Sequence, residues 1–394
     1  MPHEISPVSD RANSVVIVGA GIVGMSAAYF LSQAGWRVTV LDQGAPASGA
    51  TGAADGAVSV ASKKAGPLMT LAVAGAQFYQ DLCDAGVLDG EFVRRLTYVV
   101  ATEPNELPVL DRHATQLREA GVTLRALSKA ERDQALGSLA PTTRAAIEVQ
   151  GDGHAIGYKV VERFRRIGGF AVKRNVAVQG LWRQAGKVAG VETEQGIERA
   201  DAVLVAAGRG SAAFLDVADV IRPRKGQLII TERGEGIVPR FPGPLMSCRY
   251  LISKGSQPGG DAPAGRSFGL VIDPLQTGQF LIGGTREDSA DGSQTDIEAV
   301  RRLLQEAVEL VPALARLRVL RVFAGIRAAT RDGLPIVGRL SAHENVWIAT
   351  GFEGDGICLG PLMGRVSQQL ISGAHVNVDI SALNPARFRA EAAA

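Results

Sequence analysis

The chain has 394 residues, 46% of them hydrophobic, and a formal net charge of only +2, so it can bury a large core of more than one domain and carries no global field for nucleic acid or an acidic membrane. Aromatic residues make up 5%, too few for a base-stacking platform, and the 47 glycines suit a compact α/β enzyme with close backbone turns. Cys83, Cys248 and Cys358 are scattered with no C-x-x-C, the start "MPHEISPVSDRANS" is polar, and no apolar run nears the ~20 residues of a membrane span; a reducing cytoplasm is expected, without disulfides, signal peptide, metal centre or iron–sulfur cluster in this chain.

The first predicted elements lie in "SVVIVGAGIVGMSAAYFLSQAGWRVTVLDQG", residues 14–44. "VVIV" reads as a buried parallel strand, "MSAAYFLSQAG" as a helix closed by Gly35, and "RVTVLD" as a second strand ending in Asp42. Between them stand Gly19, Gly21 and Gly24. Gly19 makes the tight turn, Gly21 lets the backbone approach a pyrophosphate, and Gly24 lets helix and strand pack closely. The helix N-terminus offers amides and partial positive charge to phosphates, and Asp42 can accept from both ribose hydroxyls of an adenosine. Strand, glycines, helix, strand and acid in this order predict a dinucleotide site, and the acid argues against a 2′-phosphate.

"ASGATGAADGAVS", residues 47–59, follows as a small-residue stretch that either lays Ser48 or Thr51 against phosphate or a flat ring, or is a loop. Lys63 and Lys64 come next; a solvated pair is the first reading, a contact to the cofactor or to a second substrate carboxylate the other. His154 is expected to brace a turn. Residues 174–211 alternate like short strands and end in the buried strand "AVLVAAG", with Val176 placed where a backbone amide and carbonyl can read an adenine. "RKGQLIITER", "SFGLVID" and "GQFLIGGTRED" read as strands, the last two joined by the turn "PLQTG". A helix is predicted from about Asp296, with Thr295 and Glu298 as a capping box and Ile297, Val300, Leu304, Val308 and Val311 as its core stripe. Tyr250 is a candidate to close a pocket, or a half-buried strand tyrosine. Arg327, behind the apolar run "RVLRVFAGI", is either a carboxylate anchor or the partner of an acid such as Asp332, while Arg331 and Arg339 read as surface charges. Finally "NVWIATGFEGDGICLGPLMGRVSQQLISG", residues 345–373, runs from a strand through a glycine-rich turn into an apolar helix. This second helix N-terminus suits the anionic edge of a reduced flavin and is not needed by a nicotinamide. Glu353 and Asp355 in the turn read as loop acids, or as contacts to an amine or guanidino group.

The motifs "VVIVGAGIVG", "ASGATG", "VLVAAG", "RKGQLI", "GQFLIGGTRED", "AGIRAATRDGLPIVG" and "ATGFEGDGICLGPLMG" resemble the D-amino acid oxidase-type family of FAD-dependent oxidoreductases over residues 14–62, 151–210, 224–232, 278–288 and 322–373. "AADGAVSVASKKAGPLMTLA" is similar to the catalytic B subunits of bacterial opine oxidases and their relatives, which include dehydrogenases of D-amino acids and hydroxyproline and hydrogen cyanide synthase. One departure is a shortened helix-to-strand segment in "GYKVVERFRRIGGFAVKRNVAV".

The resemblance implies an α/β fold: a Rossmann-like FAD-binding domain of residues 14–62, 151–220 and 325–394, with an inserted α+β substrate domain of residues 63–150 and 221–324 built on an antiparallel sheet. It implies FAD held by Gly19, Gly21, Ile22, Val23, Gly24, Asp42, Gln43, Ser48, Gly49, Ala50, Thr51, Val176, Ala207, Gly208, Gly325, Gly354, Asp355, Gly356 and Ile357, with Arg327 and Tyr250 on the substrate. It implies oxidation of the C–N bond of an amino acid or opine by hydride transfer from the α-carbon to flavin N5, giving an imine that hydrolyses to an oxo acid and an amine. Partner subunits carrying an iron–sulfur or second flavin centre would then take the electrons. The alternatives are an oxygen-using glycine or sarcosine-type oxidase, a non-catalytic flavoprotein subunit, and an NAD-linked dehydrogenase.

Overall fold

Ser14–Val18 is buried along its whole length, as a strand covered on both faces must be, and it lies inside a six-stranded sheet. The computed structural model describes residues 12–215, 219–239, 241–253 and 266–388. In it the sheet runs Ile336–Arg339, Val346–Thr350, Ala202–Val205, Ser14–Val18, Arg37–Asp42, Ala171–Arg174. Neighbours are parallel except the pair formed by Ile336–Arg339 and Val346–Thr350. The predicted helix after the first strand spans Ile22–Gln33, and the last predicted helix spans Gly356–Ser372. These two helices touch through glycines: a β-carbon on Gly364 would lie 2.2 Å from Ser26 Oγ, which itself donates to Gly360 O at 3.1 Å. The shortened segment forms the helix Gly157–Gly168, ended by Gly169 in the left-handed region (φ 67°), and then the edge strand Ala171–Arg174. The alternating stretch beyond it is a separate three-stranded antiparallel sheet of Val178–Gln184, Lys187–Thr193 and Gly196–Arg199.

An eight-stranded sheet faces this unit. Its order is Val319–Thr330, Ile221–Arg233, Gln279–Glu287, Arg266–Pro274, Leu245–Ser247, Thr97–Ala101, Ala145–Val149, Leu124–Ala126. The hairpin through "PLQTG" is present, with Pro274 opposite Phe280 and Gly278 at φ 90°. Only the Leu245–Ser247 and Thr97–Ala101 pair is parallel.

The helix Ile297–Leu310 corrects two expectations. Its N-cap is Asp296, whose carboxylate accepts from the amides of Glu298 and Ala299, so the cap lies one residue after Thr295. Ile297 is 75% exposed, and the buried stripe is Ala299, Val300, Leu303, Ala307 and Leu310. Leu304 and Val308 only flank it. Among the described residues no helix is long and apolar enough to cross a membrane.

Candidate active site

Between the two large sheets lies a cavity of about 810 Å³, within the size range of sites that enclose a large ligand. One end is built by the glycine turn. Gly19 has φ 110°, and a β-carbon there would sit 2.4 Å from Ala206 O; one on Gly24 would sit 2.0 Å from Gly19 O. Gly24 therefore lets helix meet strand and does not itself line the cavity, whereas Gly19, Gly21, Ile22 and Val23 do. Gly21 is the helix N-cap and has no capping side chain; the Ile22 amide donates to Thr51 Oγ1 at 3.1 Å. Gln43, Ser48, Gly49, Ala50, Thr51, Val176, Ala207, Gly208, Gly325, Gly354, Gly356 and Ile357 also face the cavity.

One detail adds to expectation and one differs from it. Asp42 lines the cavity, and its two oxygens accept from the Ala20 and Gly44 amides at 2.7 and 2.8 Å, which fixes the carboxylate. The Val176 amide donates to Asp42 O at 2.9 Å, so the carbonyl is what Val176 offers a base.

Gly24→Ala is expected to weaken binding of the FAD that the resemblance implies by about 10–100-fold. Its β-carbon would overpack backbone against backbone, where such strain costs about 1–3 kcal/mol. Visible flavin absorbance per mole of purified protein, before and after dialysis, checks this.

At the other end stands the second helix N-terminus. Gly356 and Ile357 line the cavity, and the N-cap residue Asp355 makes no side-chain cap. Its carboxylate instead meets Lys63 Nζ at 2.8 Å, and Asp355 does not line the cavity. Lys63 is 4% exposed, so the reading of a solvated lysine pair fails for this residue. It also donates to Ser62 Oγ at 2.9 Å. Burial pulls the Lys63 pKa down, but Asp355 and weaker neighbours lift it above the ordinary lysine value, so the ammonium is charged. Cys358 lies in the same buried region, and burial pushes its thiol up to about 12, which leaves it a neutral, unreactive group.

Arg327 reaches the cavity from the strand Val319–Thr330. Its register partner on the adjoining strand is Arg224; two residues on, Gly226 pairs with Gly325, and a β-carbon on Gly226 would lie 2.3 Å from Arg327 Nη2. The guanidinium thus lies across a strand that has no side chain there. Nη1 donates to Thr285 O at 3.3 Å and to Glu353 Oε1 at 3.4 Å. Asp332, the acid weighed as its partner, is bound instead by Arg387, at 2.7 Å.

Arg286 lies in the motif "GQFLIGGTRED" but is not among the site residues expected from the sequence, and it lines the same wall. Its guanidinium lies over the Tyr250 ring at 4.8 Å, a cation–π distance, and its Nε is 3.7 Å from Glu353 Oε1. Tyr250 therefore lines the cavity as expected, on the short helix Cys248–Ser253 rather than on a strand. Glu353 also lines it and joins the two arginines. Asp152 was missed as well: it is 2% exposed and accepts from the Val60 and Ala61 amides and from the Ser59 and Thr97 hydroxyls, tying the segment before Lys63 in place. His154 bonds Asp55 O at 3.1 Å and braces that turn.

The family model for FAD dependent oxidoreductases (DAO) matches residues 14–370. This chain belongs to that family. It is 28% identical over 388 residues to a glycine oxidase of Pseudomonas aeruginosa, covering 94% of this chain and 98% of that protein. Among solved structures, the L-proline dehydrogenase of P. horikoshii superposes with a TM-score of 0.82 at 21% identity, covering 97% of this chain and 99% of that one. The iminodiacetate oxidase of Chelativorans sp. BNC1 gives 0.80 at 23% identity, covering 94% and 98%. The chain is an FAD-dependent oxidoreductase with the Rossmann-like α/β fold of these relatives. The site fits that cofactor on its own terms, because two helices whose N-cap residues supply no side-chain cap begin at one cavity, and Gly19 and Gly24 let the backbone of the turn close against its neighbours.

Proposed function

We propose that this DAO-family enzyme oxidises the C–N bond of an amino acid or N-substituted amino acid of the D-amino acid or opine type. The observation that carries the reading is Arg327, a cavity-lining guanidinium on the sheet that faces the glycine turn and the Gly356–Ser372 helix N-terminus. A planar guanidinium takes a carboxylate through two parallel hydrogen bonds, fixing both its position and its rotation. FAD, when bound, supplies the chemistry by accepting a hydride from the substrate α-carbon. The protein's part is alignment, which carries much of the acceleration in reactions of this kind. Leu228, Met246 and Val271 form an apolar lining that keeps water from the reacting carbon. The substrate amine reacts as its free base, so no protein base is required. The imine product hydrolyses to an oxo acid and an amine. The helix N-terminus at Gly356 favours negative charge on whatever group lies before it.

Gly226→Ala is expected to raise KM by about 10–100-fold while the enzyme keeps its fold and its flavin. The three atoms nearest the new methyl all belong to the flexible end of Arg327, which is pushed aside at the loss of a charge-assisted bond worth about 1.5–3 kcal/mol. Steady-state kinetics with an unchanged visible spectrum checks this.

The test of the function is anaerobic titration of the purified flavoprotein with D- and L-amino acids, glycine, sarcosine, hydroxyproline isomers and opines. Bleaching of the flavin by one class supports the reading, and no bleaching by any of them counts against it. A second reading, an oxygen-using oxidase, draws support from the glycine oxidase relative, and peroxide formed in air by the isolated chain would favour it. In the dehydrogenase case electrons leave to a partner subunit, which must carry any iron–sulfur or second flavin centre because this chain has three scattered cysteines. A cytoplasmic location completes the proposal.

A further inference from the structure

Two arginines on neighbouring parts of one wall share a single carboxylate. Arg286 extends from the strand Gln279–Glu287 and Arg327 from Val319–Thr330, and the strand between them contributes Gly226. Like charges brought together repel, and Glu353 stands 3.7 Å from one and 3.4 Å from the other. Other charged groups that line the cavity are already held, Asp152 by the Val60 and Ala61 amides and the Ser59 and Thr97 hydroxyls. Lys63 is held by Asp355 at 2.8 Å, and Asp273 takes Arg95 through two bonds of 2.7 and 2.8 Å. Two guanidinium charges against one carboxylate leave one positive charge at this wall, with Arg286 Nη1 buried and unpartnered among the described residues.

Glu353 is not a side chain that swings freely. Its backbone sits at φ 45°, a conformation that costs a non-glycine residue energy and persists when surroundings impose it. Its Oε2 accepts from the Gly354 amide at 2.6 Å. A carboxylate anchored this way keeps its place when substrate arrives.

Resting on the amine-oxidising reading above, we propose that Glu353 is a specificity-determining residue that sets the number of carboxylates the substrate carries. The wall has room for one more negative charge, so the substrate is a monocarboxylate amino acid or N-alkyl amino acid. A secondary amine with a carboxylate on each arm would set a second negative charge beside Glu353. Among N-substituted substrates this favours those with one acid group and disfavours two-acid opines. Removing the charge of Glu353 frees Arg286 to receive the second carboxylate.

The experiment uses the FAD-loaded enzyme and two readouts. In the first, acetate and malonate are titrated against the visible flavin spectrum, which reports binding without turnover. In the second, flavin reduction by sarcosine and by iminodiacetate is followed without oxygen. The wild type is expected to prefer the monocarboxylate at least about tenfold in both. Glu353→Gln is expected to shift the malonate-to-acetate ratio toward malonate by about tenfold or more, and Glu353→Asp, which keeps the charge, is expected to hold the wild-type order. A wild type that binds malonate as well as acetate overturns the proposal, whether or not the glutamine variant folds. So does a Glu353→Gln enzyme that keeps its flavin and its original preference. If no amine in either class reduces the wild type while acetate still perturbs its spectrum, the oxidation reading fails and the charge rule stands on binding alone.

Discussion

Arg327→Met lowers kcat/KM for the amino acid substrate by about 10²–10³-fold. Removing one member of a buried, hydrogen-bonded charge pair typically costs about 2–5 kcal/mol, and each 1.4 kcal/mol is a factor of ten. The carboxylate loses the Arg327 fork, and with it the rotation that aims the α-carbon. The flavin should stay, because Arg327 bonds Thr285 O and Glu353 and no part of the glycine turn. Chemical reduction by dithionite is therefore expected to proceed as in the wild type while reduction by substrate is slow. Arg327→Lys should recover only part of the loss, since an ammonium is a point charge without the planar fork. Stopped-flow reduction of the three enzymes at several substrate concentrations separates binding from the chemical step. Equal rates in all three would remove Arg327 from the site and favour a subunit that only relays electrons.

Lys63→Met destabilises the folded chain by about 3–5 kcal/mol, the range seen when one partner of a buried ion pair is deleted and the other charge is left behind. Lys63 is 4% exposed and Asp355 8% exposed, so neither has water to fall back on. The double variant Lys63→Met with Asp355→Leu should regain most of that loss, which a pure packing role for the lysine stem would not allow. Denaturant unfolding of the single and double variants, followed by far-ultraviolet circular dichroism, measures both. The pH dependence has a definite sign. Despite burial, Asp355 and weaker neighbours hold Lys63 above its ordinary value. Its stabilising contribution is then complete below about pH 10.4, the unfolded lysine value, and declines only as the pH rises beyond it. At neutral pH and below, the gap between wild type and Lys63→Met should therefore not narrow on account of the lysine.

What was legible in the sequence was what is local. The glycine turn is readable because strand, turn, helix and acid are contiguous and each glycine has a steric reason visible in the spacing. Arg327 stood out because a permanent charge follows an apolar strand run. The rest of the wall was hidden for the opposite reason. Arg286, Arg327 and Glu353 come from three separated segments, and only the order of strands in the eight-stranded sheet brings the first two within reach of the third. Lys63 looked like half of a solvated pair because nothing near it in the chain shows that Asp355 will lie 2.8 Å away. At the start of the Ile297–Leu310 helix the sequence offers two good caps in a row, Thr295 and Asp296, and pattern alone picks the wrong one. That slip of one residue turns Ile297 from core to surface.

The strand that carries Arg327 pairs without a break with its neighbour from Arg321 opposite Ile230 to Thr330 opposite Ile221, and bridges through Ala329 to Phe352 at the root of the Gly356–Ser372 helix. Carboxylate anchor and helix end are thus spliced into one stretch of hydrogen-bonded backbone. The span between them is a structural constant, like the gap set by a machined spacer, and does not depend on any rotamer. Tyr250, Met246 and Val271 stand on other elements of the cavity wall. Those positions can be varied to admit new side chains on the substrate while the reacting carbon keeps its place.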